Sequence, residues 1–417
     1  MYKRVEHCRI CNSKNLHKYV DFGLMPLANS YLDPKGQNQE PTFPLSVFFC
    51  KDCYLSTLSI VVDPKVMFSQ YAYKSSISKT FQEHCLAMAE QVQSLLGSKP
   101  LLVVDIASND GCLLREFKKK GFKILGVEPA QNLAKEANAE GITTLPEFWS
   151  ASTVQSIRSS HGLVDVITAT NVFAHVDDVH GFVQNVKQAL SDNGLLIIEV
   201  PYCLNLIRKR EFDTIYHEHL SYFLVKPIIT LFESEGMEVR DVQEFPIHGG
   251  TIRVFVTKKN NSVVEKNQKN IDRFLKMEKD ENLYELSEYI KFANRLLDVK
   301  IDLLQLLCKL KREQKKIAAF AASAKGNTLL NYCGISSDFV EFIVDETPEK
   351  QDHLYAGNRI PIFGLPELEK QKPDYLLILA WNFVKEIMEK TKPYQEHGGR
   401  YIIPIPSVKV VSSLDDL

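Results

Sequence analysis

Short apolar runs separated by helical repeats set the plan of this chain. Leu101–Ile106, Lys123–Val127, Ile142–Leu145, Asp165–Asn171 and Leu195–Val200 are strand-length and rich in Val, Ile and Leu, with helical patterns such as Cys112–Lys120 between them. That alternation predicts a parallel sheet with crossover helices. Residues 259–315 hold no Gly or Pro, and their apolar positions recur at helical spacing (Ile271, Phe274, Leu275; then Leu283, Leu286, Ile290), which predicts connecting helices. From 316 a second α/β pattern begins: Ile317–Ser323, a helix through Leu329, Phe339–Asp345 and Tyr375–Trp381. Residues 1–70 break the pattern. They are rich in turn formers (Pro26, Asn29, Pro34, Gly36, Pro41, Pro44) and need a staple to hold a fold.

Cysteine spacing offers the staple. Nine cysteines, an odd number, include two Cys-x-x-Cys pairs, Cys8/Cys11 and Cys50/Cys53. Each pair presents two thiolates to one ion, and together they make a closed tetrahedral zinc site with no open position, hence a structural one. The 38-residue gap between the pairs is longer than in a usual zinc ribbon, so redox thiols, or three cysteines with His7 or His17, stand as alternatives. With 45% hydrophobic and 24% charged residues and a net charge of −2, the 417-residue chain has a globular composition, with room for two to four domains. No apolar run approaches the roughly 20 residues that span a bilayer, and the N-terminus shows no secretory h-region. A cytoplasmic enzyme, with no membrane and no nucleic-acid partner, is the expectation.

The first strand runs into Ala107-Ser-Asn109-Asp110-Gly111, and the second ends at Glu128. A nucleotide cofactor across those strand ends would meet Gly111 and Glu128. One glycine is too few for a dinucleotide fingerprint, whose extra glycines admit a pyrophosphate. S-adenosylmethionine lacks a pyrophosphate. Its ribose diol suits Glu128, and its cations suit a turn carrying Asp105, Asn109 and Asp110. Phe148 would lie against adenine, while Asn171 and His175 would sit at the rim where the methyl points.

Tyr216-His217-Glu218-His219 then packs a phenol, two imidazoles and a carboxylate into four residues. Such groups move protons near neutral pH. His217 and His219 lack the i, i+4 spacing that makes a helical metal site, so acid–base work is the preferred reading. His217 reads as a loop histidine bonding backbone.

With these pieces assembled, the chain resembles the sugar C-methyltransferases that act on nucleotide-linked deoxy-4-ketosugars. The resemblance runs over nearly the whole length: the leading Cys-x-x-Cys, Phe-x-x-Cys-x-x-Cys, Tyr71-Ala-Tyr73-Lys-Ser-Ser76, the Ser-Asn-Asp-Gly turn, Asn171-Val-x-Ala-His175-Val, Tyr216–His219, the segments from His248 and from Ala321. It implies a catalytic set of Tyr71 or Tyr73, His175, Tyr216, Glu218 and His219, acting at C3 of a 4-keto-6-deoxyhexose. His219 would be the base, Glu218 would hold or tune its ring, and the others would donate to the ketone or hydroxyls. His248 and Arg253, beside paired glycines, would meet a phosphate or sugar hydroxyl, although a plain hairpin explains the segment equally. Lys325 and Asn327, at a strand-to-helix turn, are candidates for the sugar nucleotide.

The expected architecture is α/β overall. An N-terminal zinc-binding module (1–70) precedes a class I S-adenosylmethionine methyltransferase core with a doubly wound sheet (71–258). A helical connector (259–315) leads to a C-terminal Rossmann-like α/β domain (316–417) that binds the sugar nucleotide. The chain is expected to work as a monomer or small homo-oligomer. A zinc-ribbon RNA methyltransferase would need a basic face that a pI of about 6.6 does not suggest. O-methylation of the same sugar nucleotides is the closer alternative.

Overall fold

The computed structural model describes residues 2–36, 40–68, 71, 73–97, 101–261 and 264–417. Ala72 and the expected boundary at residue 70 lie outside these.

Among the described residues the central sheet has strands Leu102–Ile106 (β1), Lys123–Val127 (β2), Thr144–Leu145 (β3), Val164–Thr170 (β4), Leu190–Pro201 (β5), Met237–Phe245 (β6) and Thr251–Lys258 (β7). Their order is β3-β2-β1-β4-β5-β7-β6, with β7 antiparallel to both neighbours and β1 to β5 mutually parallel. This is the class I methyltransferase arrangement. Strand order reverses between β1 and β4, so the crossover helices part there and open a cleft at the carboxyl ends of the strands. β1 is buried throughout, as expected of a strand with helices on both faces. The C-terminal domain repeats the principle. Ile362–Phe363, Ile343–Val344, Ile317–Phe320, Tyr375–Ile378 and Arg400–Ile403 are parallel in that order, and Lys409–Val411 closes the edge antiparallel.

The N-terminal module is tied into both. Its hairpin of Leu16–Pro26 and Thr42–Cys50 continues through Ser56–Leu58 to Ser221–Tyr222, a strand supplied by the segment just after His219. Tyr31–Leu32 pairs with Leu354–Tyr355 of the C-terminal domain. In the connector, the helix Leu286–Arg312 buries Tyr289, Phe292, Leu296, Val299, Leu303, Leu307 and Leu310. Its inward stripe starts at Tyr289, whereas Ile290, read as apolar interior from sequence, is 47% exposed. The tyrosine is the better inward residue because its ring packs on Phe49 at 4.4 Å while its hydroxyl reaches Leu283 O. None of the described helices is long and apolar enough to cross a membrane.

Arg253 departs from the sequence expectation. It points into the protein, not into the cleft, with its Nε 2.7 Å from Glu199 Oε1 and both side chains 1% exposed. Its remaining nitrogens meet Gln91 Oε1 and His84 Nε2, so it holds no group toward a phosphate. Burial pushes the Glu199 carboxyl up, but His84 and Arg253 outweigh it and hold the group below its usual range. Arg253→Ala strands a buried carboxylate, and the expected cost is about 3–5 kcal/mol. It is checked as a lower denaturation midpoint for the central domain with S-adenosylmethionine absent.

Candidate functional site

The staple comes first. Cys8 Sγ lies 3.3 Å from Cys53 Sγ and Cys11 Sγ 3.5 Å from Cys50 Sγ, and all four sulfurs fall within 4.8 Å of one another. Zn–S bonds near 2.3 Å place tetrahedral sulfurs about 3.8 Å apart, so the set fits one ion. The two pairs are built alike. Asn12 N donates to Cys8 O and Tyr54 N to Cys50 O, and both residues take a left-handed conformation that ends the turn. His17 bonds Asn15 instead of joining the cluster.

The cofactor end of the cleft forms where β1 gives way to its turn. Ala107, Asn109 and Gly111 all have positive φ, and a Cβ on Gly111 would lie 2.9 Å from Ile142 Cγ2. The glycine thus serves the turn and its packing. Glu128 accepts from Asn109 N and Ala130 N, each at 2.8 Å. Burial raises its carboxyl pKa. Asp105 is buried beneath the turn, accepts from Thr168 Oγ1 at 2.6 Å, and is pushed up to about 7 by burial. Asp110 lies behind the wall. It accepts from Ser76 N and Oγ, while Asn109 Oδ1 accepts from Ser75 N. The turn therefore fastens the strap carrying Tyr73 across the cleft. Glu128, Asn109, Phe148 and Asn171 line a space of about 720 Å³; Asp105, Asp110 and Gly111 do not. Trp149 Nε1, Thr170 Oγ1 and Asn171 Oδ1 are buried there without partners among the described residues. These orphaned donors and acceptors fit a nucleoside cofactor, and S-adenosylmethionine would be held between Glu128, Phe148 and Asn171.

Tyr71, Tyr73, His175, Tyr216 and His219 line the same space; Glu218 joins them through Tyr71. His219 Nδ1 lies 2.8 Å from Thr214 O, so Nδ1 carries the hydrogen and leaves Nε2 as an acceptor. Tyr216 OH donates to that Nε2 at 2.8 Å. The His175 ring stands 5.0 Å from the His219 ring, edge to face, and 5.6 Å from Phe68. Burial takes His175 down to about 4 and holds His219 well below the ordinary imidazole range. Both rings are neutral at pH 7. Glu218 does not hold the His219 ring. It accepts from Tyr71 OH at 2.8 Å and Asn29 Nδ2 at 2.6 Å, and burial pushes it up to about 7. His217 points away to Pro44 O, as a loop histidine should.

From the C-terminal domain, Lys325 lines the cleft, with Nζ 3.1 Å from His248 O and 5.0 Å from the Trp381 ring. His248 lines it too, at the tip of a hairpin whose Gly250 closes against Asn205. Asn327 turns inward, giving its Nδ2 to Ala356 O. It is 2% exposed, so the structure does not bring it to the cleft. Asn29 and Thr214 are the residues that the sequence did not single out. Asn29 sits in a turn-rich stretch with no motif, 189 positions from its partner Glu218; Thr214 contributes a backbone carbonyl, which no residue identity reveals.

Fold and site together define an S-adenosylmethionine-dependent methyltransferase flanked by a zinc-binding module and a second α/β domain. Residues 8–68 match the family described as "Putative zinc binding domain", residues 81–242 that described as "Methyltransferase domain" and residues 246–406 that described as "C-methyltransferase C-terminal domain". Over 411 residues, 98% of this chain and 97% of the other, the sequence is 35% identical to the C-methyltransferase NovU of Streptomyces niveus. The chain belongs to this C-methyltransferase family. A ubiquinone biosynthesis O-methyltransferase of Rhodopseudomonas palustris (strain HaA2) is 26% identical over 115 residues, 27% of this chain and 45% of that protein. Among solved structures, the magnesium protoporphyrin IX methyltransferase ChlM of Synechocystis PCC 6803 with bound SAM aligns at 10% identity and TM-score 0.33, covering 43% of this chain and 79% of that one.

Because the zinc module's sheet includes Ser221–Tyr222, metal loss should reach the centre of the molecule. Metal analysis should find one zinc per chain. Its removal by a chelator should lower the melting temperature and increase amide exchange at residues 216–223, which would stay protected if the module were an independent appendage.

Proposed function

We propose that the chain methylates C3 of a nucleotide-linked 4-keto-6-deoxyhexose in deoxysugar biosynthesis. The observation that carries this reading is the tautomer of His219, a cleft-lining ring whose Nδ1–H is spent on Thr214 O so that Nε2 is left as an acceptor, taken here by Tyr216 OH. A hydrogen on the carbon beside a ketone is acidified, and its removal by a neutral imidazole gives an enolate. Bound S-adenosylmethionine supplies the electrophilic methyl. With substrate in place of the Tyr216–His219 bond, the Tyr216 hydroxyl turns to the ketone oxygen while Nε2 takes the C3 proton. Tyr71, Tyr73 and His175 line the surrounding wall and serve the sugar hydroxyls or the growing oxyanion. Each such donor typically contributes ~3 kcal/mol to the transition state. Of the lysines that line the cleft, Lys74, Lys350 and Lys390 are paired with carboxylates, which supports Lys325 as the cation for the diphosphate. The match to NovU, a C-methyltransferase across nearly its whole length, supports carbon as the acceptor. The likeness to an O-methyltransferase spans only 27% of the chain.

The test uses 4-keto-6-deoxyhexose nucleotides in deuterated water with the cofactor omitted. Exchange of the C3 hydrogen is expected, with its loss in His219→Ala and a roughly 100-fold slower rate in Tyr216→Phe. Methyl transfer to oxygen without exchange would end the proposal.

The pH profile separates the two groups. Burial lowers the His219 pKa, so the ring sheds its proton at lower pH than a free imidazole and stays a competent base below ~6.5. Glu218 is raised to about 7, so its carboxylate form is lost as pH falls through that value. The exchange rate should therefore rise through pH ~7 in the wild type, and Glu218→Gln should abolish that limb. Asp105 also titrates at about 7; a limb that survives Glu218→Gln would belong to it.

A further inference from the structure

The zinc module reaches the cleft through Pro64, Phe68 and one polar side chain, Asn29. The Nδ2 of Asn29 lies 2.6 Å from Glu218 Oε1, while Tyr71 OH occupies the other oxygen at 2.8 Å. A flipped amide would set two acceptors against each other across 2.6 Å when Glu218 is ionised, so the donor assignment follows from the chemistry. Asn29 has its own support. Tyr31 OH donates to Ala322 O at 2.9 Å and lies 3.5 Å from Asn29 Oδ1, and Tyr31–Leu32 is paired to Leu354–Tyr355. The short stretch from Asn29 to Leu32 thus touches the central cluster and the C-terminal domain at once.

We propose that Asn29 is a positioning residue for the reaction, fixing the Glu218 carboxylate in the orientation that holds Tyr71 at the cleft wall. Its role in turnover rests on the reaction proposed above; its contact with Glu218 does not. Two donors from two different segments leave the carboxylate no freedom to rotate, and Tyr71 is held only as well as its acceptor. The arrangement also gives the zinc module a chemical part in the site. Glu218 is faced by the titratable groups Tyr71, Tyr31 and Tyr216, whose pKa values are pushed up chiefly by burial and further by its charge. With those phenols neutral, Asn29 and Tyr71 are the donors that favour its charged form.

The experiment is a pH titration of the full-length zinc-loaded protein labelled with 13C-carboxyl glutamate, the Glu218 signal being assigned by its absence in Glu218→Gln. A wild-type midpoint at about 7 is expected. Asn29→Ala should move it upward, because a bond favouring the charged form is gone. Asn29→Asp should move it further, because it keeps the shape and places a second carboxylate there. On a 4-ketosugar nucleotide that the wild type turns over, both variants should lose kcat by roughly tenfold or more with KM little changed. Zinc content and melting temperature control for folding. If Asn29→Ala is unstable, the near-isosteric Asn29→Asp carries the same comparison. Variants with the wild-type midpoint and kcat would overturn the proposal. The titration needs no substrate, so it decides the Asn29 contact whatever the acceptor proves to be; full turnover by Glu218→Gln would instead remove Glu218, and Asn29 with it, from the reaction.

Discussion

A buried irregular segment is the constraint around which the rest of the molecule is arranged. Ile215–Leu220 is almost wholly buried, yet it belongs to no helix or strand. Its backbone groups have no periodic partners, and leaving them unpaired away from water is costly. The structure answers from outside. Leu58 N and Thr57 Oγ1 both donate to Leu220 O, at 3.0 Å each, and Thr328 Oγ1 donates to Ile215 O from the C-terminal domain. Ser221 and Tyr222 then pair with Thr57 and Ser56. The loop that carries Tyr216, Glu218 and His219 is clamped by the two flanking domains, which makes a three-part chain a single site.

The same burial acts on the two ionisable groups of that loop in opposite senses. Charged forms are penalised, so the carboxyl of Glu218 moves up and the imidazole of His219 moves down. A neutral imidazole and a carboxyl poised near neutrality result without any strong charge partner. His175 follows His219, with burial alone accounting for its descent. Lys325 is the counterweight. It stands by Trp381 and His248, near the buried carboxyls of Glu211 and Asp213, whose pKa values burial raises and its charge lowers. Burial thus sets the state of the imidazoles, and the Lys325 charge, close enough to lower His219 further, adds to it.

What the sequence disclosed was whatever is written locally. Val-Ile-Leu runs located β1, β2 and β4 to within a residue or two, because parallel strands buried on both faces must be continuously apolar. The Cys-x-x-Cys pairs were legible because two thiolates on one turn have few other uses. Long-range partnership was not legible. Arg253 and Glu199 meet across neighbouring strands, a register that no single sequence announces. Asp110 is spent on the Ser75–Ile77 strap, and Asn327 on Ala356 O, because a polar residue at a turn serves whatever backbone lies nearest. The Tyr289/Ile290 inversion has a similar origin: a tyrosine whose hydroxyl finds a carbonyl can be buried as readily as an isoleucine.

The proton abstraction from carbon proposed above would also explain why a methyltransferase core should be held on both sides. Transfer to a hydroxyl needs one base near one oxygen. Transfer to carbon needs a base, an oxyanion donor and the methyl source placed around a planar enolate at the same time, and a shift of about 1 Å in any of them can cost ~100-fold. The side chains proposed to surround the substrate hang on different supports: His219 on the clamped loop, Tyr73 on the strap fastened by Asn109 Nδ2 to Tyr73 O, and Lys325, proposed for the diphosphate, on a helix of the C-terminal domain. Tyr31 of the zinc module, hydrogen-bonded to Ala322 O and paired beside Tyr355, fixes that last domain relative to the loop. The four cysteines do not line the cleft, yet the module they staple pairs with both the segment after His219 and the C-terminal domain.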